Sequence, residues 1–369
     1  MKNPKGGKNM QRVRIVDIAR ELGVSTATVS NVIHGKTKKI SDATVKRVQK
    51  LLEEKQYIPS MAGLLLAQND SRIIGIVINN HGKYEGHVLE DPFVSASLNA
   101  LSIEIEKSGY FMMVKTTTRL SDVVKFASMW NMEGMVVIGF CQEEYLELRQ
   151  FMHIPFVVYD GFFENAADEI NGTNAANEID SINDSDNAAA ARLCNLTIDN
   201  YDGGLQAGRH LKGLGHQLAL CLSDNEICMD AQRIRGFLEG FGAENTDLLL
   251  IPMQKELRRT FYEQHFQFIR KHTAVFAVSD YYAIDFMQFL QEKGVAVPRD
   301  VSIIGFDDTP ICQQLVPALT TVRQDAASRA ASALLALREL KQGTPFQQPG
   351  MLPVQLVLRD STAPCKISK

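Results

Sequence analysis

Apolar residues recur every three or four positions over residues 14–34, and this period predicts two short helices. Gly23 stands where the first helix must end in a sharp turn, which a residue without a side chain makes most easily. Ser25 can accept a hydrogen bond from the first turn of the second helix. This spacing is typical of a helix-turn-helix. The apolar positions are Ile15, Ile18, Ala19, Leu22, Val24, Val29, Val32 and Ile33.

A third helix is predicted directly after this motif. Ser41 can cap it, and its apolar side chains can close a small three-helix core. Pro59 then breaks the helix, and Ser60 can cap a new one over the short, uncharged segment 61–67. A segment this short cannot hold a helix alone in water. The apolar positions of the third helix are Val45, Val48, Leu51 and Leu52.

From residue 73 onward, short apolar runs alternate with helical segments. This alternation predicts parallel sheets covered by helices, and about ten strands are too many for one sheet of ordinary size. We therefore expect two doubly wound α/β lobes, with a ligand cleft at the carboxyl ends of their strands. The predicted strands span residues 73–78, 111–116, 135–140, 156–159, 193–198, 218–223, 248–251, 274–279, 301–306 and 354–358.

The net charge of -4 hides a division between the two ends of the chain. Residues 1–72 hold 14 Lys+Arg against 6 Asp+Glu, whereas the other 297 residues hold 25 against 37. A basic head on an acidic body indicates a polyanionic partner at one end. A basic run alone is most simply a solvated face, but this one coincides with the helix-turn-helix.

The second helix presents small side chains on the face away from the predicted core, so it can lie close to base pairs in a major groove. Asn31 can contact adenine with two hydrogen bonds. The alternative is a helical hairpin in an ordinary core, but the turn glycine, the cap and the basic charge together favour DNA. The expected base-contacting residues are Thr26, Ala27, Ser30 and Asn31. The expected phosphate-contacting residues are Ser25, Thr28, His34 and Lys36.

The segments IVDIARELGVSTATVSNVIHG and KQYIPSMAGLLLA resemble the headpiece and hinge of the lactose/galactose-repressor family. The resemblance continues in IPFVVYD, DNYDGGLQAGRHLKGLGH, AQRIRGF, VPRDVSIIGFDDT and PALTTVRQD. It implies a DNA-binding transcription regulator, most simply a repressor, whose lobes are of the periplasmic-binding-protein type and bind a small-molecule effector. The implied parts are a flexible basic tail at 1–13, a helix-turn-helix domain at 14–59, a hinge helix and linker at 60–71, and an effector-binding and dimerisation domain at 72–363.

In this family the hinge folds on operator DNA beside its copy from a second subunit, and a leucine is wedged into the minor groove. Leu66 matches that leucine. The alternative is an apolar linker that packs on the body. Leu64 and Leu65 stand where relatives are usually more polar, so the hinge departs from the family pattern at these two positions.

The resemblance also implies the effector site. Arg233 matches the family's effector-binding arginine and Asp307 its strand-end aspartate, with a structural salt bridge as the alternative. A sugar needs donors and acceptors for its hydroxyls and an apolar cover for its ring, which guanidinium, carboxylate and phenylalanine provide. Core packing is the alternative for the phenylalanines. The further cleft positions are Asp160, Asp280, Phe93 and Phe140.

No catalytic constellation, cofactor motif or metal-ligand spacing is found in the sequence, so an enzyme is the weaker interpretation. Gly203, Gly204 and Gly208 lack the order of a phosphate-binding loop and indicate close helix packing instead. The six scattered cysteines, with neither a signal peptide nor a membrane span, predict a cytoplasmic protein. An exported solute-binding protein of the same fold is the main alternative, and the headpiece argues against it.

Residues 164–193 depart from the family pattern. They hold six Asn, seven Asp+Glu and eight Ala but one basic residue, and NAADEI recurs as NAANEI. This composition predicts a disordered loop, most simply a tolerated surface insertion. The chain carries no leucine heptads near its final strand, so we expect a homodimer rather than a tetramer.

Overall fold

The computed structural model describes residues 13–57, 71–140, 142–159, 193–344 and 351–365. Leu66, Asp160 and the insertion as far as residue 192 lie outside the described residues. The chain divides into two compact units, Met1–Ser71 and Arg72–Lys369. None of the helices in the described ranges is long and apolar enough to cross a membrane.

The first unit is the three-helix headpiece that the sequence predicts. Gly23 ends the first helix in the left-handed region at φ 67°, and its N–H donates to the carbonyls of Ala19 and Arg20. Ser25 and Ser41 cap the second and third helices through their hydroxyls. The helices are α1 (Ile15–Leu22), α2 (Thr26–Ile33) and α3 (Asp42–Glu54). The buried core consists of Ile18, Ala19, Val29, Val32, Val48 and Leu51.

The second unit begins with a parallel sheet of five strands in the order β2-β1-β3-β4-β5. One face of this sheet packs against α4 and α12, and the other packs against α5 and α6. The strands are β1 (Ile73–Asn79), β2 (Phe111–Thr117), β3 (Gly134–Ile138), β4 (Phe156–Tyr159) and β5 (Leu193–Leu196). The helices are α4 (Pro92–Lys107), α5 (Leu120–Met129), α6 (Gln142–Phe151) and α12 (Ala326–Lys341).

The second lobe is a six-stranded sheet in the order β11-β10-β9-β8-β6-β7, parallel except for β11. The strands are β6 (Ala219–Ser223), β7 (Thr246–Leu250), β8 (Ala274–Ala277), β9 (Ser302–Asp307), β10 (Thr320–Gln324) and β11 (Val354–Val357). The helices are α7 (Asn200–Gly213), α8 (Cys228–Phe241), α9 (Lys255–Gln264), α10 (Phe266–Ile269) and α11 (Asp280–Glu292). The two sheets confirm the fold class. The structure contains the ten strands predicted from the sequence and one that was not predicted, β10.

The lobes are connected at one side of the cleft. Helix α12 packs on the first sheet, although β10 and β11, which precede and follow it, belong to the second sheet. Together with the connection from β5 to α7, the chain therefore crosses between the lobes three times. A parallel bridge between Ile198 and Leu352 ties the first crossing to the third. These three crossings form the hinge between the lobes, which we call the lobe hinge to distinguish it from the predicted hinge at residues 60–71.

Helices α7 and α8 pack with their backbones in direct contact. A Cβ atom added to Gly204 would lie 2.0 Å from the carbonyl oxygen of Arg233, and one added to Gly236 would lie 2.0 Å from that of Tyr201. Gly208 and Gly240 continue the contact one turn further. The glycine cluster therefore serves close helix packing, as the sequence indicates. This packing fixes Arg233 on α8 beside Asn200 on α7.

Candidate functional site

The headpiece presents its predicted DNA-contacting side chains on one surface. Thr26, Ala27 and Asn31 are exposed on α2, and Ser30 is half-buried beside them. Ser25 and Lys36, at the two ends of this helix, are also exposed. The remaining phosphate candidates, Thr28 and His34, are half-buried. All eight candidates lie on α2 or within three residues of it.

Local hydrogen bonds fix the start of α2. The Ser25 hydroxyl accepts from the backbone N–H of Thr28 at 3.0 Å and lies 2.8 Å from the Thr28 hydroxyl. Arg47 of α3 donates to the carbonyl of Leu22 at 3.1 Å, which holds the turn against the third helix. The helix itself carries no charged side chain, so its outer surface can approach base pairs without first burying a charge.

In the second unit, Arg233 lies at the carboxyl ends of the second sheet's strands. It is 6% exposed. Its Nε donates to Asn200 Oδ1 at 2.8 Å and its Nη1 to the carbonyl oxygen of Val278 at 2.6 Å. The guanidinium stacks 3.8 Å above the Phe306 ring, and Nη1 lies 3.9 Å from Asp307 Oδ1. Two of the five N–H donors thus position the group, and the guanidinium stays within 4 Å of the Asp307 carboxylate.

Asp307 ends β9 with an unusual backbone. Its φ is 123° and that of Asp308 is 53°, values that cost free energy in residues with a side chain. Neighbouring hydrogen bonds hold this conformation. Gln324 Nε2 donates to Asp307 Oδ1 at 2.7 Å, and Arg323 and Arg359 both pair with the Asp308 carboxylate. Burial raises the pKa of Asp307 well above its usual value, although the Arg233 guanidinium opposes this shift.

Asp280 does not reach the cleft. It is fully buried at the start of α11, and its carboxylate accepts from the backbone N–H and hydroxyl of Thr309, the Cys312 thiol and the Thr321 hydroxyl. Burial raises its pKa to about 6 in spite of these bonds. Because its oxygens already accept these hydrogen bonds, Asp280 stabilises the loop that follows Asp307 and offers no free acceptor to a ligand.

The two phenylalanines are placed differently. Phe93, near the start of α4, lines a small cavity of about 50 Å³ together with Asp307, Gln324 and Arg329, so it faces the strand-end carboxylate across the cleft. Phe140 is fully buried in the apolar cluster between the first sheet and the helices α5 and α6. Phe140 is therefore a core residue, which was the alternative to ligand contact. Phe93 lies where it can contact a ligand.

Seven of the nine residues that line this cavity were missed in the sequence, among them Gln324, Arg329 and Thr309. Gln324 bridges Asp307 to Arg329, whose Nη1 donates to Gln324 Oε1 at 2.9 Å. Thr309 follows the strand end. Gln324 lies in the PALTTVRQD segment that carries the family resemblance, but β10 was not recognised as a strand there. Had β10 been assigned, its last residue would have been placed at the cleft edge.

A second group of carboxylates lies within electrostatic reach of Arg233 and Asp307. Asn225 Nδ2 donates to Asp230 Oδ2 at 2.8 Å, and burial raises the pKa of Asp230 against the effect of Arg233. Asp91 of the first lobe caps α4 by accepting from the backbone N–H of Val94 at 3.0 Å, and burial raises its pKa too. The walls of the cleft are therefore rich in carboxylates that prefer donors as partners.

Two family models match the chain. Residues 14–60 match the model described as bacterial regulatory proteins, lacI family, and residues 209–362 match a periplasmic binding protein-like domain. The regulator DegA of Bacillus subtilis is 26% identical over 364 residues, which cover 96% of this chain and 99% of DegA. The repressor PurR of Vibrio atlanticus is 28% identical over 328 residues, 84% of this chain and 86% of PurR.

Solved structures agree with this fold. A lac repressor dimer bound to operator and the anti-inducer ONPF matches 96% of this chain and 100% of its own, with a TM-score of 0.72 and 20% identity. A cellobiose complex of the regulator CelR matches 95% of this chain and 100% of its own, with a TM-score of 0.61 and 18% identity. The chain thus combines a lacI-family helix-turn-helix domain with a periplasmic-binding-like domain, which is the architecture of an effector-controlled DNA-binding transcription regulator.

Proposed function

We propose that this regulator represses transcription by binding a pseudo-palindromic operator as a homodimer, and that a sugar bound between Arg233, Asp307 and Phe93 controls its affinity for DNA. The observation that carries the proposal is the combination of an exposed, uncharged recognition helix with a guanidinium–carboxylate pair at the strand ends of a two-lobed unit. Neither an enzyme nor a solute-binding protein accounts for the headpiece.

The chemistry of the cleft supports a polyhydroxylated ligand. Arg233 offers donors, the Asp307 carboxylate offers an acceptor, and Phe93 offers an apolar face for a sugar ring. Relatives of the same fold are described in complexes with cellobiose and, in a protein from Enterococcus faecium, with ribose. A thermal-shift screen of sugars with the full-length protein tests this part of the proposal, with nucleosides as the competing class. A shift produced by nucleosides but by no sugar would contradict it.

The DNA-binding role predicts a clear difference between two substitutions. Asn31→Ala is expected to relax the preference for one symmetric pair of bases at a cost of about 1–3 kcal/mol, because it removes a base contact. Lys36→Ala is expected to weaken binding to all sequences alike and to lower the salt dependence by about one counterion, because it removes a phosphate contact. Selection of sites from random DNA, followed by salt titration, distinguishes the two. Recovery of no symmetric site would contradict the proposal.

The homodimer is expected to use an exposed apolar face of the second lobe. Four large side chains on this lobe are exposed close to the cleft ends of the strands, which is unusual unless a partner covers them. These residues are Ile227, Leu250, Leu257 and Tyr281, which are 65%, 44%, 59% and 36% exposed.

A charge at this face should separate the subunits. Leu257→Glu is expected to give a monomer in sedimentation velocity, because an unpaired carboxylate would be buried in the interface. Leu335→Glu is the matched control, since Leu335 is 49% exposed on α12 of the other lobe. If both variants remain dimers, the interface lies elsewhere.

A further inference from the structure

The connection between β1 and α4 is unusually long. β1 ends at Asn79 and α4 begins at Pro92, so residues 80–91 link them, where about two to six residues normally suffice. This segment, which we call the strap, forms two short 3-10 turns, Gly82–Tyr84 and Val88–Glu90. Glu85 and Gly86 between them have φ values of 49° and 87°. The strap thus has a defined conformation with a sharp reversal at its centre.

The strap reaches the second lobe at Glu85. The Oε1 atom of Glu85 accepts from the backbone N–H of Lys255 at 3.2 Å. Lys255 is the first residue of α9, and the preceding Gln254 makes no side-chain cap. A carboxylate at a helix N-terminus satisfies a free N–H and interacts favourably with the helix dipole. The first lobe therefore supplies the cap for a helix of the second lobe.

Lys83 lies two residues before Glu85 and has the opposite charge. It is exposed, and its ammonium nitrogen lies 5.0 Å from the centre of the Tyr84 ring. Partial desolvation lowers its pKa, but the carboxylates of Asp224, Asp230 and Asp91 outweigh this effect and raise the pKa. Asp224 follows β6, and Asp230 lies in the first turn of α8, so both belong to the second lobe. The charge of Lys83 is thus attracted to the same lobe that Glu85 contacts.

The topology places these contacts far from the lobe hinge. The strap leaves β1, near the β2 edge of the first sheet, whereas the lobe hinge begins at β5 on the opposite edge. The strap meets the second lobe after β6 and β7, whereas β10 and β11, which flank the other two crossings, lie at the opposite edge of that sheet. Opening the lobes about the lobe hinge must separate the strap from both docking points. Contacts at this distance resist opening more effectively than contacts beside the lobe hinge.

We propose that the strap is a latch, in which the Glu85 carboxylate, with Lys83 beside it, holds the start of α9 across the open side of the cleft and must release it before a ligand enters. The cavity beside Phe93 and Asp307, at about 50 Å³, has room for only about one or two water molecules, so a sugar requires such an opening. The latch rests on the proposed function only in taking this cleft as the effector site.

Hydrogen exchange of the full-length protein, with neither ligand nor DNA, tests the latch. In the double variant Lys83→Met/Glu85→Ala, peptides covering the first turn of α9 are expected to exchange at least about fivefold faster, because the N–H of Lys255 loses its acceptor. Peptides of the central strand β8 should exchange as in the parent. The matched control is Glu104→Gln/Lys107→Met, which removes an exposed ion pair of 2.6 Å within α4.

Equal exchange of the α9 peptides in the parent, the control and the double variant would overturn the latch. Raising the salt concentration from 0.05 to 0.5 M should reproduce part of the effect in the parent, because it screens charges that remain near water. The same samples are tested for selection of a symmetric operator. A failure of that selection counts against the proposed function and leaves the exchange result intact, so the two failures are distinguishable.

Discussion

Replacing Gly204 by alanine is expected to destabilise the second lobe by about 3 kcal/mol or more, one of the largest effects of any single methyl group in this protein. The added Cβ would meet the carbonyl oxygen of Arg233 at 2.0 Å and the backbone nitrogen of Phe237 at 2.8 Å. Backbone atoms cannot rotate away as a side chain can, so α7 and α8 must separate. Thermal unfolding should show a Tm lower by roughly 6–12 °C.

The same helix offers the control. Gly213 is the last residue of α7, and a Cβ added there would meet nothing within 4 Å. Gly213→Ala is expected to leave the Tm unchanged or to raise it slightly, because alanine loses less conformational entropy than glycine on folding. If Gly204→Ala melts like Gly213→Ala, the helices do not pack as closely as described.

The second large effect is expected at the ligand cleft. Arg233→Lys keeps the positive charge, but a lysine cannot reproduce the two directed hydrogen bonds to Asn200 and Val278 or the stacking on Phe306. We expect affinity for the effector to fall about 100-fold, because ligand acceptors lose the planar, directed N–H donors of the guanidinium. Operator affinity without effector should stay within about threefold of the parent.

Calorimetric titration of the effector found by thermal shift measures this loss. The control is Arg299→Lys, whose guanidinium pairs with the neighbouring Asp300 at the surface of the same lobe. That variant should bind effector like the parent. A parallel loss of operator binding and effector binding in Arg233→Lys would mean that the arginine maintains the fold rather than the ligand site.

Much of the fold could be predicted because its signals are local. Gly23, Ser25 and Ser41 mark helix ends by their own conformational and hydrogen-bonding properties, and the structure places them at those ends. The strands buried on both faces are near-continuous apolar runs, as parallel sheets require. β10 was not predicted, because Val322 is the only large apolar residue among its five. Its threonines are buried by the neighbouring strands, which the local sequence does not show.

The site was harder to predict, because a position in the sequence does not fix the direction of a side chain. Arg233 and Asp307, identified by resemblance, do meet at the strand ends, and their role in ligand binding stays a prediction. Asp280 and Phe140 come from equally plausible positions, but both side chains point into the packed interior. Lys83 was overlooked, although the length of the segment after β1 could have indicated it. The partners of the strap lie more than 130 residues away in the sequence.

The central claim is that a small molecule bound at Arg233 and Asp307 changes the affinity of the headpiece for DNA. The most direct test measures the Kd of the parent protein for its selected operator by fluorescence anisotropy, with and without a saturating amount of the effector. Coupling of about 1–3 kcal/mol predicts a change in Kd of about 5- to 150-fold in the parent and none in Arg233→Lys at the same effector concentration. An effector that binds the parent but leaves its operator Kd unchanged would contradict the account.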